Sequence, residues 1–93
     1  MKVVVRQAAE DDIERHCSWI AKNDVPAALK VGKGIREQIN RLEIDALIEM
    51  GRPGLVAGTR ELIYPPYIIV YQLSDHRQEL HILSVMHGAQ ARS

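Results

Sequence analysis

The pattern of apolar and polar positions in the first half of the chain predicts one strand followed by two helices. Three consecutive valines within residues 2–6 lie between charged side chains, a pattern typical of a short buried strand. Across residues 8–22 the apolar side chains recur at helical spacing, and acidic residues occupy the first turn, where the helix dipole favours them. A second helix is predicted to begin after Asp24, a good N-cap that precedes Pro26 in the first turn. The short connection predicts an antiparallel helical hairpin.

The second half of the chain changes to a strand-like pattern. Three β runs are predicted at about residues 59–64, 67–73 and 79–86, after a loop at residues 51–54 that cannot continue a helix. The connecting segments are of hairpin length, so these strands should form an antiparallel meander. The sequence therefore predicts an α+β fold with the order β-α-α-β-β-β, in which the helical hairpin packs on a small antiparallel sheet that the first strand joins. Residues 1–93 are expected to form a single domain.

The last two predicted strands are apolar on both faces. In the first of them one face would carry Tyr67, Ile69, Tyr71 and Leu73, and the other Ile68 and Val70. In the second, strict alternation places Leu80, Ile82 and Met86 on one face and Leu83 and Val85 on the other. Two helices cover one face of such a sheet, so the other face is covered either by a partner chain or by the chain's own residues 47–56.

Charge and cysteine content narrow the possible functions. The 12 Lys and Arg residues balance the 12 Asp and Glu residues, which argues against direct binding to nucleic acid. No apolar stretch has the length of a secretory signal or a membrane helix, so we expect a soluble cytoplasmic protein. Cys17 is the only cysteine, and it falls on the apolar stripe that Ile13 and Ile20 define. It is therefore interpreted as a core thiol.

Few residues suggest catalytic or cofactor chemistry. His81 and His87 share a strand face but would lie about 20 Å apart, too far to bind one metal ion. No metal is therefore predicted. The glycines at residues 51–54 lack the Lys and the Ser or Thr of a phosphate-binding loop, so no other cofactor is predicted either. Arg60, Glu61 and His87 remain as polar residues at strand ends. They either act on a target or form ordinary contacts, Arg60 and Glu61 as a solvated pair and His87 with backbone.

Several local strings, in their order and spacing, resemble the ParE branch of the RelE/ParE toxin superfamily. The strings are GRPG at residues 51–54, GTREL at 58–62, YIIVY at 67–71 and ILSVMHGA at 82–89. WIAKND at residues 19–24, followed by PAA at 26–28, fits the same pattern at the junction of the helices. The resemblance covers nearly the whole chain and implies the fold that the periodicity predicts.

The resemblance implies the toxin of a type II toxin–antitoxin module. Such a toxin forms a hetero-oligomer with a cognate antitoxin, which has a DNA-binding part and a C-terminal segment that folds around the toxin. The apolar strands would suit that segment, so the candidate antitoxin contacts are Ile68, Val70, Leu83, Val85 and Trp19.

The branch of the superfamily decides the expected activity. RelE-like members cleave mRNA on the ribosome with lysines and arginines, but the matching positions here hold Thr59, Glu61, Ile68 and Gly88. The cationic set is therefore missing: an isoleucine cannot stabilise the negative charge of a phosphorane, and a glutamate would repel the scissile phosphate. ParE-like members bind DNA gyrase and hold it in a DNA-cleaved state without covalent chemistry. The resemblance therefore implies a non-catalytic gyrase inhibitor, with Arg60, Glu61 and His87 as candidate target contacts. The alternatives are an RNA-cleaving toxin that uses His87 and Arg60, and a non-toxic relative that only binds an antitoxin.

Overall fold

A computed structural model of the protein describes residues 2–44, 51–74 and 79–88. In chain order its elements are β1 (Lys2–Val5), α1 (Gln7–Ala21), α2 (Val25–Arg41), β2 (Arg52–Pro53), β3 (Thr59–Tyr64), β4 (Tyr67–Leu73) and β5 (Glu79–His87). The predicted α+β fold and both helices are confirmed. The two-residue strand β2 was not predicted, because it lies in a segment that the sequence marks only as a loop.

The strands form one five-stranded sheet in the order β1-β5-β4-β3-β2. The predicted meander is confirmed, since β3, β4 and β5 pair antiparallel with their neighbours. The first strand joins the sheet as predicted, but β1 runs parallel to β5, so the sheet is mixed. The helical hairpin carries the chain from β1 at one edge of the sheet to β2 at the other edge, and the meander returns it to β5 beside β1.

The helical hairpin packs on one face of the sheet and forms the core with it. The buried apolar cluster contains Ala9, Ile13, Ile35, Ile39, Leu42, Leu62, Tyr67, Ile69, Tyr71, Leu80, Ile82 and Val85. Asp24 caps α2 as predicted, because its Oδ1 accepts a hydrogen bond of 3.0 Å from the backbone N–H of Ala27. Across the two helices, the guanidinium of Arg36 donates to the carboxylate of Glu10 and lowers the pKa of that carboxyl. None of the described helices is long and apolar enough to span a membrane.

A bulge in β5 changes which side chains face the helices. Val70 pairs with Ser84, but Tyr71 pairs with Ile82, so Leu83 is an extra residue in the ladder. Beyond Leu83, the alternation of β5 side chains between the two faces of the sheet is therefore shifted by one residue. The predicted grouping of the β5 side chains is wrong there, because Val85 joins the helix-facing core and Met86 lies on the opposite face.

Candidate partner-binding surfaces

The sheet face that points away from the helices carries an open groove of about 420 Å³. We call it the sheet groove. The described residues that line it are Leu55, Val56, Thr59, Glu61, Val70, Gln72, Leu83, Ser84 and Met86. Leu55 and Val56, from the loop between β2 and β3, form one side of the groove and remain largely exposed. The chain's own loop therefore covers part of this face, and an apolar channel stays accessible between the loop and the strands.

The five side chains predicted to contact an antitoxin lie in three different environments. Val70 and Leu83 line the sheet groove and are half-buried. Ile68 and Val85 are buried, so a partner that docks on the folded chain has almost no surface of theirs to contact. Trp19 is 71% exposed and lies on α1, away from the sheet groove. Only Val70 and Leu83 therefore belong to one continuous accessible surface.

Arg60 and Glu61 are consecutive residues of β3, so their side chains point to opposite faces of the sheet. Arg60 donates from Nη2 to the backbone carbonyl of Gly51. Glu61 is only 2% exposed, and its Oε1 accepts a hydrogen bond of 3.1 Å from Nε of Arg52 on β2. The two residues therefore do not form the solvated pair considered above, and both help to attach the β2 segment.

Gly51 fits between the strands because it lacks a side chain. An added Cβ would lie 2.5 Å from the carbonyl oxygen of Glu61 and 2.6 Å from the hydroxyl of Tyr71. Its backbone N–H donates to that hydroxyl at 3.2 Å. The start of the GRPG string is therefore a packing requirement of the fold.

His87 lies at the other end of the β4–β5 pair. It pairs with Tyr67, whereas Arg60 pairs with Tyr71, so the two residues are about 13 Å apart along the strand direction alone. The ring of Tyr67 contacts His87 edge-on, at 5.6 Å between centroids, and contacts His16 at 5.0 Å. Burial raises the pKa of the Tyr67 hydroxyl, and the charge of the Cys17 thiolate adds to this effect. The structure therefore brings His87 together with aromatic groups and separates it from Arg60.

The side chains of α1 bind the backbone of β5 where β1 ends. β1 pairs with β5 only as far as Val5 and Ile82. Beyond that point the N–H of Val85 donates to Oδ2 of Asp12 at 2.9 Å, and Nε2 of His16 donates to the Val85 carbonyl at 2.8 Å. Asp12 and His16 are four residues apart, so they lie on the same side of the helix. Their side chains bond the backbone N–H and carbonyl of Val85, which a neighbouring strand would otherwise pair with. Sequence reasoning missed both roles, because His16 and Asp12 contact a residue of β5 that lies 69 and 73 residues later in the chain.

We expect the Asp12→Ala variant to lose about 1 to 3 kcal/mol of unfolding free energy, because the buried N–H of Val85 would lose its acceptor. Urea denaturation measures this loss. Asp11→Ala is the matched control, since Asp11 is exposed, carries the same charge in the adjacent position and accepts only from Gln7 among the contacts described. We expect the control to change stability by less than about 0.5 kcal/mol. Equal losses in the two variants would mean that helix charge, and not the Val85 contact, causes the effect.

A second groove, of about 810 Å³, lies between the two helices. We call it the helix groove. Leu29 and Val25 are exposed on its α2 side, and Cys17 lies on its α1 side. Burial raises the pKa of the Cys17 thiol, although the charge of Arg36 opposes the shift. A thiol in this state is largely protonated at neutral pH, consistent with the predicted packing role.

Comparisons with known proteins agree with this architecture. The family model described as ParE toxin of type II toxin–antitoxin system, parDE, matches residues 3–92. A chain from the chromosomal ParDE toxin–antitoxin system of P. aeruginosa is 26% identical, with a TM-score of 0.83 over 94% of this chain and 95% of that chain. A chain from the toxin–antitoxin complex RelBE2 of Mycobacterium tuberculosis is 19% identical, with a TM-score of 0.55 over 92% and 95%, and shares the fold. No curated protein matches the sequence.

Proposed function

This chain belongs to the family of ParE toxins of type II toxin–antitoxin systems, and we propose that it inhibits DNA gyrase by binding to it, without cleaving RNA. In this proposal the toxin acts in the cytoplasm and is neutralised by a cognate antitoxin. The residues proposed to affect target binding are Arg60, Glu61 and His87. Arg60 and Glu61 would act mainly by fixing the β2 segment, whereas His87 would contact the target directly.

The observation that carries the proposal is the separation of Arg60 from His87, the two residues to which the RNA-cleaving alternative assigns catalysis. Phosphodiester cleavage needs cations and a proton-transfer group around one phosphate. Here Arg60 on β3 pairs with Tyr71 and His87 on β5 pairs with Tyr67, about 13 Å apart along β4. The carboxylate of Glu61 is buried beside Arg52. At the position of the strand arginine of RNA-cleaving relatives, Ile68 offers only an apolar side chain. Inhibition by binding needs no such convergence.

We propose that the antitoxin docks in the sheet groove. The groove has an apolar floor from Val70, Leu83 and Met86, which would receive apolar side chains of an extended or helical segment. Leu55 and Val56 would lose their exposure to water on docking. Burial of apolar area of this kind is the main favourable contribution in protein association.

One observation favours a second candidate, an RNA-cleaving toxin centred on His87. The contact with Tyr67 fixes the imidazole of His87 at the rim of a pocket, where it could transfer a proton. His87→Ala distinguishes the candidates. A general acid or base contributes about 100- to 10,000-fold in rate, whereas truncation of one contact residue weakens binding by about 5- to 30-fold.

Induction in a bacterial host tests the proposal. We expect filamentation and a DNA-damage response from the wild-type chain, and a partial reduction of both with His87→Ala. Rapid translation arrest with mRNA cut within codons, abolished by His87→Ala, would support the RNA-cleaving candidate and contradict ours. Normal growth despite folded, soluble protein would support a non-toxic relative that only binds the antitoxin.

A further inference from the structure

The pocket beside His87 has a lining unlike the rest of the surface. Its volume is about 410 Å³, which lies within the range of small-molecule sites, about 300 to 1,000 Å³. The described residues that line it are Arg15, His16, Trp19, Tyr67 and His87. Each of them is either aromatic or able to donate hydrogen bonds from a basic group, and none is a carboxylate. The chain as a whole carries no net charge. The lining of this pocket is therefore more basic than the chain as a whole.

The helix and the sheet both hold the pocket in shape. Trp19 lies three residues after His16 and four after Arg15, so it is a neighbour of both on the surface of α1. His16 is held by the carbonyl of Val85, and Tyr67 packs between the two imidazoles. The walls therefore exist before any ligand binds, which reduces the cost of ordering them.

Charge and aromatic surface occur together at the rim. The ammonium of Lys22 lies 4.9 Å from the ring centroid of Trp19, so one face of the indole already receives a cation. Arg15 uses Nη2 to contact Oδ1 of Asp12 at 2.7 Å, and the other nitrogens of its guanidinium carry further donors. The other carboxylate oxygen of Asp12, Oδ2, accepts a hydrogen bond from the N–H of Val85. The side chain of Arg15 nevertheless remains 64% exposed and can reach a second anion.

We propose that this pocket binds a nucleotide, with the base stacked on Trp19 and the phosphate bound by Arg15 and His87. A planar base next to a phosphate matches an aromatic surface next to basic groups, whereas an acidic peptide would use the basic groups alone. The ligand is either a free nucleotide or one nucleotide of a single strand. The pocket shares His87 with the proposed target contacts, but binding here requires neither gyrase nor a ribosome.

Trp19 is the only tryptophan of the chain, so its fluorescence reports directly on the pocket. We would titrate the purified full chain with mononucleotides, with short single-stranded DNA and RNA, with nucleosides and with inorganic phosphate. We expect saturable quenching by nucleotides at lower concentrations than by nucleosides or phosphate. Tighter binding of the oligonucleotides identifies a strand as the source of the ligand, and equal affinity per nucleotide identifies a free nucleotide.

Variants then locate the site. We expect Arg15→Ala and His87→Ala each to weaken nucleotide binding by at least about 5-fold. Arg41→Ala is the matched control, because Arg41 is also an exposed helix arginine that contacts a residue three positions earlier, and it should bind as the wild type does. Trp19→Leu, measured by equilibrium dialysis, should weaken binding by about 10-fold without unfolding the chain, since the indole is exposed.

Three results would overturn the proposal. They are the absence of saturable quenching, equal effects of Arg15→Ala and Arg41→Ala, and binding of an Asp- and Glu-rich peptide in preference to every nucleotide. A negative gyrase assay together with nucleotide binding that depends on Arg15 would leave this inference standing and remove only the proposed target.

Discussion

Replacement of Ile69 by alanine should lower the free energy of unfolding by about 2 to 5 kcal/mol. Ile69 lies in the middle of β4, with no exposed surface, inside the cluster where the helices meet the sheet. The substitution removes buried methyl groups and leaves a cavity that packed neighbours refill only in part. Domains of this size are stable by only about 5 to 15 kcal/mol, so a large fraction of the total would be lost. Urea denaturation followed by circular dichroism measures the change.

Ile63→Ala is the matched control for this prediction. Ile63 is an isoleucine of the adjacent strand β3, but it is 40% exposed and lies on the face away from the helices. We expect this variant to lose less than about 1 kcal/mol. A loss for Ile63→Ala as large as that for Ile69→Ala would show that the hydrophobic core is not centred on the helix-facing side of the sheet.

The Leu55→Asp substitution should weaken antitoxin binding by about 30-fold to 1,000-fold, the range for loss of an interface hot spot. Leu55 forms one side of the sheet groove and is 71% exposed, so the free toxin should fold normally with aspartate there. In the complex the carboxylate would be buried against Val70 and Leu83 without a partner. Isothermal titration of the toxin with its antitoxin measures the affinity.

Leu29→Asp is the control for the docking site. Leu29 is 70% exposed, almost the same as Leu55, but it lies in the helix groove. We expect this variant to bind the antitoxin with wild-type affinity. The opposite outcome, loss of binding with Leu29→Asp and full affinity with Leu55→Asp, would move the docking site from the sheet groove to the helix groove.

Most of the fold could be predicted because periodicity is a local property of the sequence. The stripe of α2, its Asp24 cap and the three β runs depend on neighbouring residues, and the structure has them where the sequence places them. The direction of β1 could not be predicted in this way. Whether Val3 to Val5 run parallel or antiparallel to β5 depends on the path of both helices, which is a tertiary property.

The bulge at Leu83 explains why the candidate site was predicted only in part. Every residue from Leu80 to Met86 except His81 and Ser84 is apolar, so the sequence gives no indication of where alternation shifts. Strict alternation grouped Val85 with Leu83, whereas the bulge sends Val85 into the core and leaves Leu83 in the sheet groove. One inserted residue thus decides which side chains a partner can contact.

Buried polar residues were the other source of error. Charged and polar side chains are mostly exposed, which made Glu61 a natural candidate for a target contact. Its burial depends on Arg52, nine residues away, and on the unpredicted strand β2. The buried position of His16 likewise depends on a carbonyl of β5, 69 residues later in the chain. Neither contact leaves a periodic signal in the sequence.

The central claim, that this ParE-family toxin inhibits gyrase by binding and does not cleave RNA, is tested most directly with purified components. The toxin is added to gyrase, supercoiled DNA and ATP, and the DNA is analysed after protein denaturation. A parallel reaction contains translating ribosomes and a defined mRNA. Our account predicts that cleaved DNA accumulates with the toxin, disappears when the antitoxin is added, and is accompanied by intact mRNA. Intact DNA together with mRNA cut within codons would contradict it.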